Sequence, residues 1–194
     1  MQPVIFVPGL SDATFWATPL QAIWRKNGFD LHIHTVSWKQ KEESFEEKLA
    51  RLIQKIDVLS KNNTKISLIG TSAGGSFAMN AFALRKTKVH KLITISARLQ
   101  KGNAIIPSLQ LAAFGYPAFY QSVITCGENI DNFSKEDKEK MLTIQSLFFD
   151  EIVPLTTSRI SGIQNMKIPI PFHTPSIIGA LTFYRSKIIS FLQT

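Results

Sequence analysis

The stretch Lys65–Met79, KISLIGTSAGGSFAM, permits few folds. An apolar run containing Ile66, Leu68 and Ile69 passes directly into Gly70-Thr71-Ser72-Ala73-Gly74, and helix-forming residues follow at once. A strand that turns this sharply into a helix holds its apex residue strained, so the positions two before and two after must be very small. Gly70 and Gly74 meet that demand, and Gly75 lets the helix start close to a sheet. A serine at such an apex offers its hydroxyl as a nucleophile. The backbone N–H of Ala73, beside a helix N-terminus, points where an oxyanion would form. The same spacing also occurs as a plain glycine- and serine-rich turn, so the rest of the chain must decide.

Taken in order, that chain alternates. Val4–Val7 reads as a buried strand ended by Pro8-Gly9, and Thr18-Pro19 opens a helix with Leu20, Ile23 and Trp24 on one face. Leu31–Trp38 is strand-like, with His32, His34 and Val36 alternating against Leu31, Ile33 and Thr35. Ser44 and Glu47 form a capping box, and Leu49, Leu52, Ile53, Ile56 and Leu59 recur at helical spacing behind it. The elbow helix runs to about Arg85, and Leu92–Ile95 is the next strand. Residues 98–125 read as irregular and apolar, with Ile105, Ile106, Leu109, Leu111, Phe114, Tyr116, Phe119 and Tyr120. Ser134 and Asp137 cap a charged helix through about Thr143, and Leu147-Phe148-Phe149 reads as a strand ending at Asp150. Met166–Ile170, interrupted by Pro169, is expected at a sheet edge. Pro175 opens the last helix. Short apolar strands separated by amphipathic helices predict an α/β domain with a mostly parallel sheet covered on both faces.

At 194 residues one domain, 1–194, with one sizeable core is expected. The net charge of +8 comes from scattered rather than clustered lysines, which argues for a solvated surface and against nucleic acid as a partner. It leaves contact with a membrane surface open. The single cysteine, Cys126, excludes an intrachain disulfide and suggests no metal cluster. No apolar run approaches the ~20 residues of a membrane span, so a cytoplasmic location is expected.

A serine hydroxyl needs a base, and the base needs an acid to orient it. In an open parallel sheet all three belong at the carboxyl ends of strands. His32 and His34 lie inside the second strand, before the elbow, and read as half-buried strand positions rather than a metal pair. His90 lies at the entry to a strand, at the opposite end of the sheet from Ser72. His173, on a loop after the last strand, is the base this geometry selects. No acidic residue lies between Val89 and Gly127 or after Glu151. Asp150 is therefore the preferred acid, with Glu151 the fallback.

The quoted stretches VIFVPGL (4–10), GTSAGG (70–75), FFDEIVP (148–154) and the His173 loop resemble the α/β-hydrolase family, with its chain order Ser, Asp or Glu, His. The resemblance implies a minimal lipase- or esterase-like member: a sheet of about six strands in a three-layer sandwich, without the usual first strands and with no room for a large lid. It implies a second oxyanion donor, the backbone N–H of Leu10, beside that of Ala73. Many relatives carry His-Gly where this chain has Pro8-Gly9, and Gly where it has Phe172.

The expected activity is cleavage of a carboxylic ester through Ser72, His173 and Asp150 and an acyl-enzyme, with a small ester or acyl compound as substrate and no cofactor or metal. Acyl transfer, thioester or peptide cleavage are alternatives on the same fold. A non-catalytic binding module is the alternative outside it. Residues 98–125 are either a small cap or pocket wall, or core over the sheet.

Overall fold

The computed structural model describes residues 1–14, 17–102 and 109–194. Six strands, β1 (Gln2–Val7), β2 (Phe29–Ile33), β3 (Ile66–Thr71), β4 (Val89–Ile95), β5 (Met141–Ser146) and β6 (Gln164–Ile168), form one sheet in the order β2-β1-β3-β4-β5-β6. Every pairing is parallel. All carboxyl ends therefore lie along one edge, which is what lets residues distant in sequence converge there. The Pro169-bounded strand, β6, is at one border of the sheet as its proline requires.

Successive strand residues feed opposite layers. Ile5 and Val7 pack with α2 (Phe45–Leu59), α3 (Ala73–Leu84) and α5 (Pro117–Asp131). Val4 and Phe6 pack with α1 (Ala17–Lys26), α7 (His173–Thr182) and α8 (Arg185–Gln193). Each fully buried Val, Ile, Leu or Phe contributes about 1.5–3 kcal/mol to holding the layers together. The α2 capping box forms as its sequence dictates: Ser44 Oγ accepts the Glu47 N–H at 3.1 Å, and Glu47 accepts the Ser44 N–H at 2.8 Å.

The elbow helix α3 is buried on every side from Ala73 to Phe82, because the sheet, α2 and α5 surround it. Its small residues permit this. Beside it, α5 is fixed by polar contacts: Ser76 and Ser122 hydroxyls lie 2.9 Å apart, Asn80 donates to the Ser122 carbonyl at 2.9 Å, and Asn129 donates to Asn80 Oδ1 at 2.9 Å.

Several boundaries differ from the sequence reading. Within 98–125, read above as irregular, the described residues include α4 (Leu109–Gly115) and the start of α5. Pro117 in the first turn of α5 was the available helix signal, and Ala118, Phe119, Ser122, Val123, Cys126 and Ile130 supply the inward face at helical spacing. Ile105 and Ile106 lie outside the described residues. The charged helix, α6 (Lys135–Glu139), ends early, and the strand after it is Met141–Ser146 rather than Leu147–Phe149. Buried Thr143 and Gln145 disguised that strand, whereas Leu147, Phe148 and Phe149 lie exposed beyond it. β2 starts two residues earlier than expected and its last paired residue is Ile33, although the His34 N–H still donates to the Phe6 carbonyl. α1 opens at Ala17. The last helix is two, broken at Phe183-Tyr184, and its first residue is His173. No helix among the described residues is long and apolar enough to cross a membrane.

Candidate active site

At the carboxyl end of β3 the chain reverses at Ser72, whose φ of 53° and ψ of −124° are strained for any residue with a side chain. The turn is locked from both sides: the Ser72 N–H donates to the Ile95 carbonyl at 3.0 Å, and the Ser72 carbonyl accepts the Gly75 N–H at 3.1 Å. A Cβ on Gly70 would strike the backbone of Gly74, and one on Gly74 would strike the carbonyls of Val7 and Pro8. These glycines are small because backbone passes against backbone. The helix begins at Ala73, so the Ala73 amide lies in the first turn of α3, where backbone N–H groups lack intrahelical acceptors.

The loop after β1 arches over this point. A Cβ on Gly9 would lie 2.9 Å from Ser72 Cβ, and the Gly9 carbonyl accepts the Asp12 N–H at 2.9 Å, closing a turn that contains Leu10. Asp12 anchors the loop from outside. Its two carboxylate oxygens accept the N–H groups of Val36 at 2.9 Å and Trp38 at 3.1 Å.

His173 enters from the far side as the first residue of α7. Its Nε2 is 2.9 Å from Ser72 Oγ, and its Nδ1 is 3.1 and 2.9 Å from the two oxygens of Asp150. A carboxylate can only accept, so Nδ1 carries the ring proton, and Nε2 is left with its lone pair toward the serine hydroxyl. Both side chains are nearly withdrawn from solvent, at 6% and 1% exposure. Asp150 Oδ1 also accepts the N–H groups of Ile152 at 2.9 Å and Val153 at 2.7 Å. The fallback acid is used otherwise: Glu151 accepts the backbone N–H of His173 at 2.9 Å. The Ser176 hydroxyl donates to the His173 carbonyl at 2.8 Å, so Ser96, 2.6 Å away on the turn after β4, is the donor to Ser176.

A family model described as the alpha/beta hydrolase fold matches residues 2–169. The chain belongs to the α/β-hydrolase family. Solved structures agree on the fold of this α/β hydrolase at low identity. Bacillus licheniformis lipase BlEst2 is 17% identical, with 97% of this chain and 91% of that one covered and a TM-score of 0.71. The monoacylglycerol lipase of Paleococcus ferrophilus is 16% identical over 98% of this chain and 93% of that one, with a TM-score of 0.66. A putative non-heme bromoperoxidase, BpoC of Mycobacterium tuberculosis, is 11% identical over 100% and 94%, also at 0.66. A search among curated protein sequences finds no match.

The remaining histidines of this α/β hydrolase stand apart from Ser72. His90 is near the amino end of β4, and His32 pairs with Asp30 at 3.0 Å. His34 is buried with its ring stacked near Phe77, and burial together with the charges of Lys55 and Arg51 pushes its pKa down to about 4. No group of three His, Cys, Asp or Glu side chains suited to a metal ion occurs among the described residues. A groove of about 570 Å³ along α2, lined by Leu49, Ile53, Val58 and Leu84, contains none of the site residues. Around His173 the surface is apolar: Phe148, Phe149, Ile152 and Phe172 are 63%, 52%, 45% and 50% exposed. Asp12, Ser96 and Ser176 escaped the sequence reading. Asp12, three residues after Gly9 in a Gly-Leu-Ser-Asp turn, carried the one signal that was available.

Proposed function

We propose that this α/β hydrolase cleaves carboxylic esters as a serine hydrolase. The observation that carries the proposal is the continuous hydrogen-bonded path from Ser72 Oγ through His173 to Asp150. In this reading Ser72 Oγ attacks the ester carbonyl while His173 Nε2 takes its proton. The imidazolium then gives that proton to the departing alkoxide, leaving an acyl-enzyme and free alcohol. Water repeats the sequence: His173 takes a proton from it, the hydroxyl oxygen bonds to the acyl carbon, and Ser72 leaves with its proton restored. Asp150 holds the tautomer and stabilises the imidazolium. The amides of Ala73 and Leu10 receive the oxyanion, and the Asp12 anchor keeps the Leu10 turn in place.

We assign one domain to residues 1–194, with α4 and the outer face of α5 as a pocket wall. The two faces of α5 differ. Tyr116 and Tyr120 are only partly buried, whereas Val123 and Cys126 on the inner face belong to the core. The exposed rim of Phe148, Phe149, Ile152 and Phe172 suits an apolar acyl or alcohol group. Two of the proteins that share this fold, BlEst2 and the Paleococcus ferrophilus enzyme, are lipases, which agrees with this reading.

A fluorophosphonate probe and short-chain p-nitrophenyl esters test the reading. Wild type is expected to be labelled and active. Ser72→Ala loses the label, with turnover falling by up to about 10⁶-fold, and Asp150→Asn lowers turnover by up to about 10⁴-fold with the fold intact. Equal ester turnover in wild type and Ser72→Ala overturns it.

A further inference from the structure

The three residues Phe149, Asp150 and Glu151 each take hold of the next crossing of the chain, Phe172-His173. The Phe149 carbonyl accepts the Phe172 N–H at 3.0 Å, and the two phenyl rings meet edge to face with centroids 6.0 Å apart. Asp150 takes the imidazole Nδ1 at 2.9 Å. Glu151 Oε2 takes the His173 backbone N–H at 2.9 Å.

The third contact answers a local problem. Phe172 precedes α7 with φ 69° and ψ 151°, a region that suits glycine and strains a residue with a side chain. A phenylalanine at the helix N-cap also has no side-chain oxygen to satisfy the first amides; its backbone carbonyl accepts the Ser176 N–H at 3.0 Å, but its side chain caps nothing. Glu151 supplies the missing acceptor from another segment. Its charge sits where a helix N-terminus favours an anion. The amide it holds belongs to the residue whose imidazole must meet Ser72 at 2.9 Å and Asp150 at the same time. Apart from that contact the Glu151 side chain is exposed.

We propose that Glu151 is the positioning residue of His173. It accepts the backbone N–H that opens α7 and holds the strained Phe172-His173 link in the one conformation that aims Nε2 at Ser72. The inference rests on His173 being the general base. Glu151 touches no reacting atom, so its contribution falls on kcat and leaves substrate affinity alone.

The test compares wild type, Glu151→Ala and Glu151→Gln on p-nitrophenyl butyrate, with labelling by a fluorophosphonate probe alongside. Glu151→Ala is expected to lower kcat by about tenfold or more with KM within about twofold, as misorientation of a catalytic group does. Glu151→Gln keeps an oxygen acceptor for the N–H and is expected to retain at least about half of wild-type kcat. Wild-type kcat in Glu151→Ala, a change confined to KM, or equal losses in both variants overturns the proposal while leaving the hydrolase reading intact. Absence of both labelling and turnover in wild type overturns the hydrolase reading instead. In that case the His173 amide resonance in ¹H–¹⁵N spectra decides on the clamp. It is expected to move in Glu151→Ala, and an unmoved resonance shows that the contact does not exist in solution.

Discussion

Gly74 lies so close to Val7 that a methyl group on its Cα would overlap the Val7 carbonyl oxygen, and the Pro8 carbonyl lies just beyond. The elbow and the end of β1 are thus fitted to each other through backbone alone. Neither side can give way without moving a strand. Gly74→Ala is therefore expected to destabilise the protein by at least about 1–3 kcal/mol, the usual cost of overpacking. Probe labelling of Ser72 should fall in the fraction that stays folded. Urea unfolding measures the first effect; a midpoint equal to wild type would show that the two segments are looser than they appear.

Asp12 is the external anchor of the loop that carries Leu10. Asp12→Ala leaves the Val36 and Trp38 amides without their acceptor, at a cost of about 1–3 kcal/mol for each group that stays dry. In the proposed mechanism it also lets the Leu10 amide drift, so kcat should fall by about 10–10²-fold, below the loss from deleting an oxyanion donor outright. Asp12→Asn keeps one acceptor and should fall between wild type and alanine. Full activity in Asp12→Ala would separate the loop from the chemistry.

His34 makes stability depend on pH. Its folded-state pKa is pushed from 6.5 down to about 4, chiefly by burial and then by Lys55 and Arg51. The unfolded chain therefore binds the proton first. Stability is fully present above pH 6.5, falls as pH drops through the window down to about 4, and changes no further below it. A shift of this size corresponds to up to about 3 kcal/mol. His34→Phe keeps a flat ring beside Phe77 and removes the titration. Between pH 7 and pH 4.5 the variant should lose less stability than wild type in urea unfolding. Parallel losses in the two proteins would refute the assignment.

Most of the candidate site was legible in the sequence because its geometry is enforced by residue types that have few substitutes. Gly70 and Gly74 are dictated by backbone contact, and the scarcity of acids downstream of the elbow left Asp150 and Glu151 as the carboxylates placed to orient His173. The strand preceding Asp150 was misread, yet the site did not move, because Asp150 falls in the carboxyl-end loop of either strand. Long-range acceptors were invisible for a different reason. Asp12 and Glu151 act on backbone amides, and Ser96 on the Ser176 hydroxyl, across stretches of chain that only the parallel sheet brings together, and no local spacing records such contacts. The segment 98–125 was misjudged because its inward face mixes serine with apolar residues, which blurs the helical period until the partner helix is known.

The polar seam between α3 and α5 bears on motion. Ser76, Asn80, Ser122 and Asn129 satisfy one another in a place where water is largely absent, so parting the two helices strands several of these groups at once. The pair should open and close as a single cooperative unit, and amide exchange should report one common protection level across both helices. A serine held against Ile95 and wrapped by a helix that cannot peel away has a fixed floor. Whatever flexibility a bulky substrate demands must come from the rim.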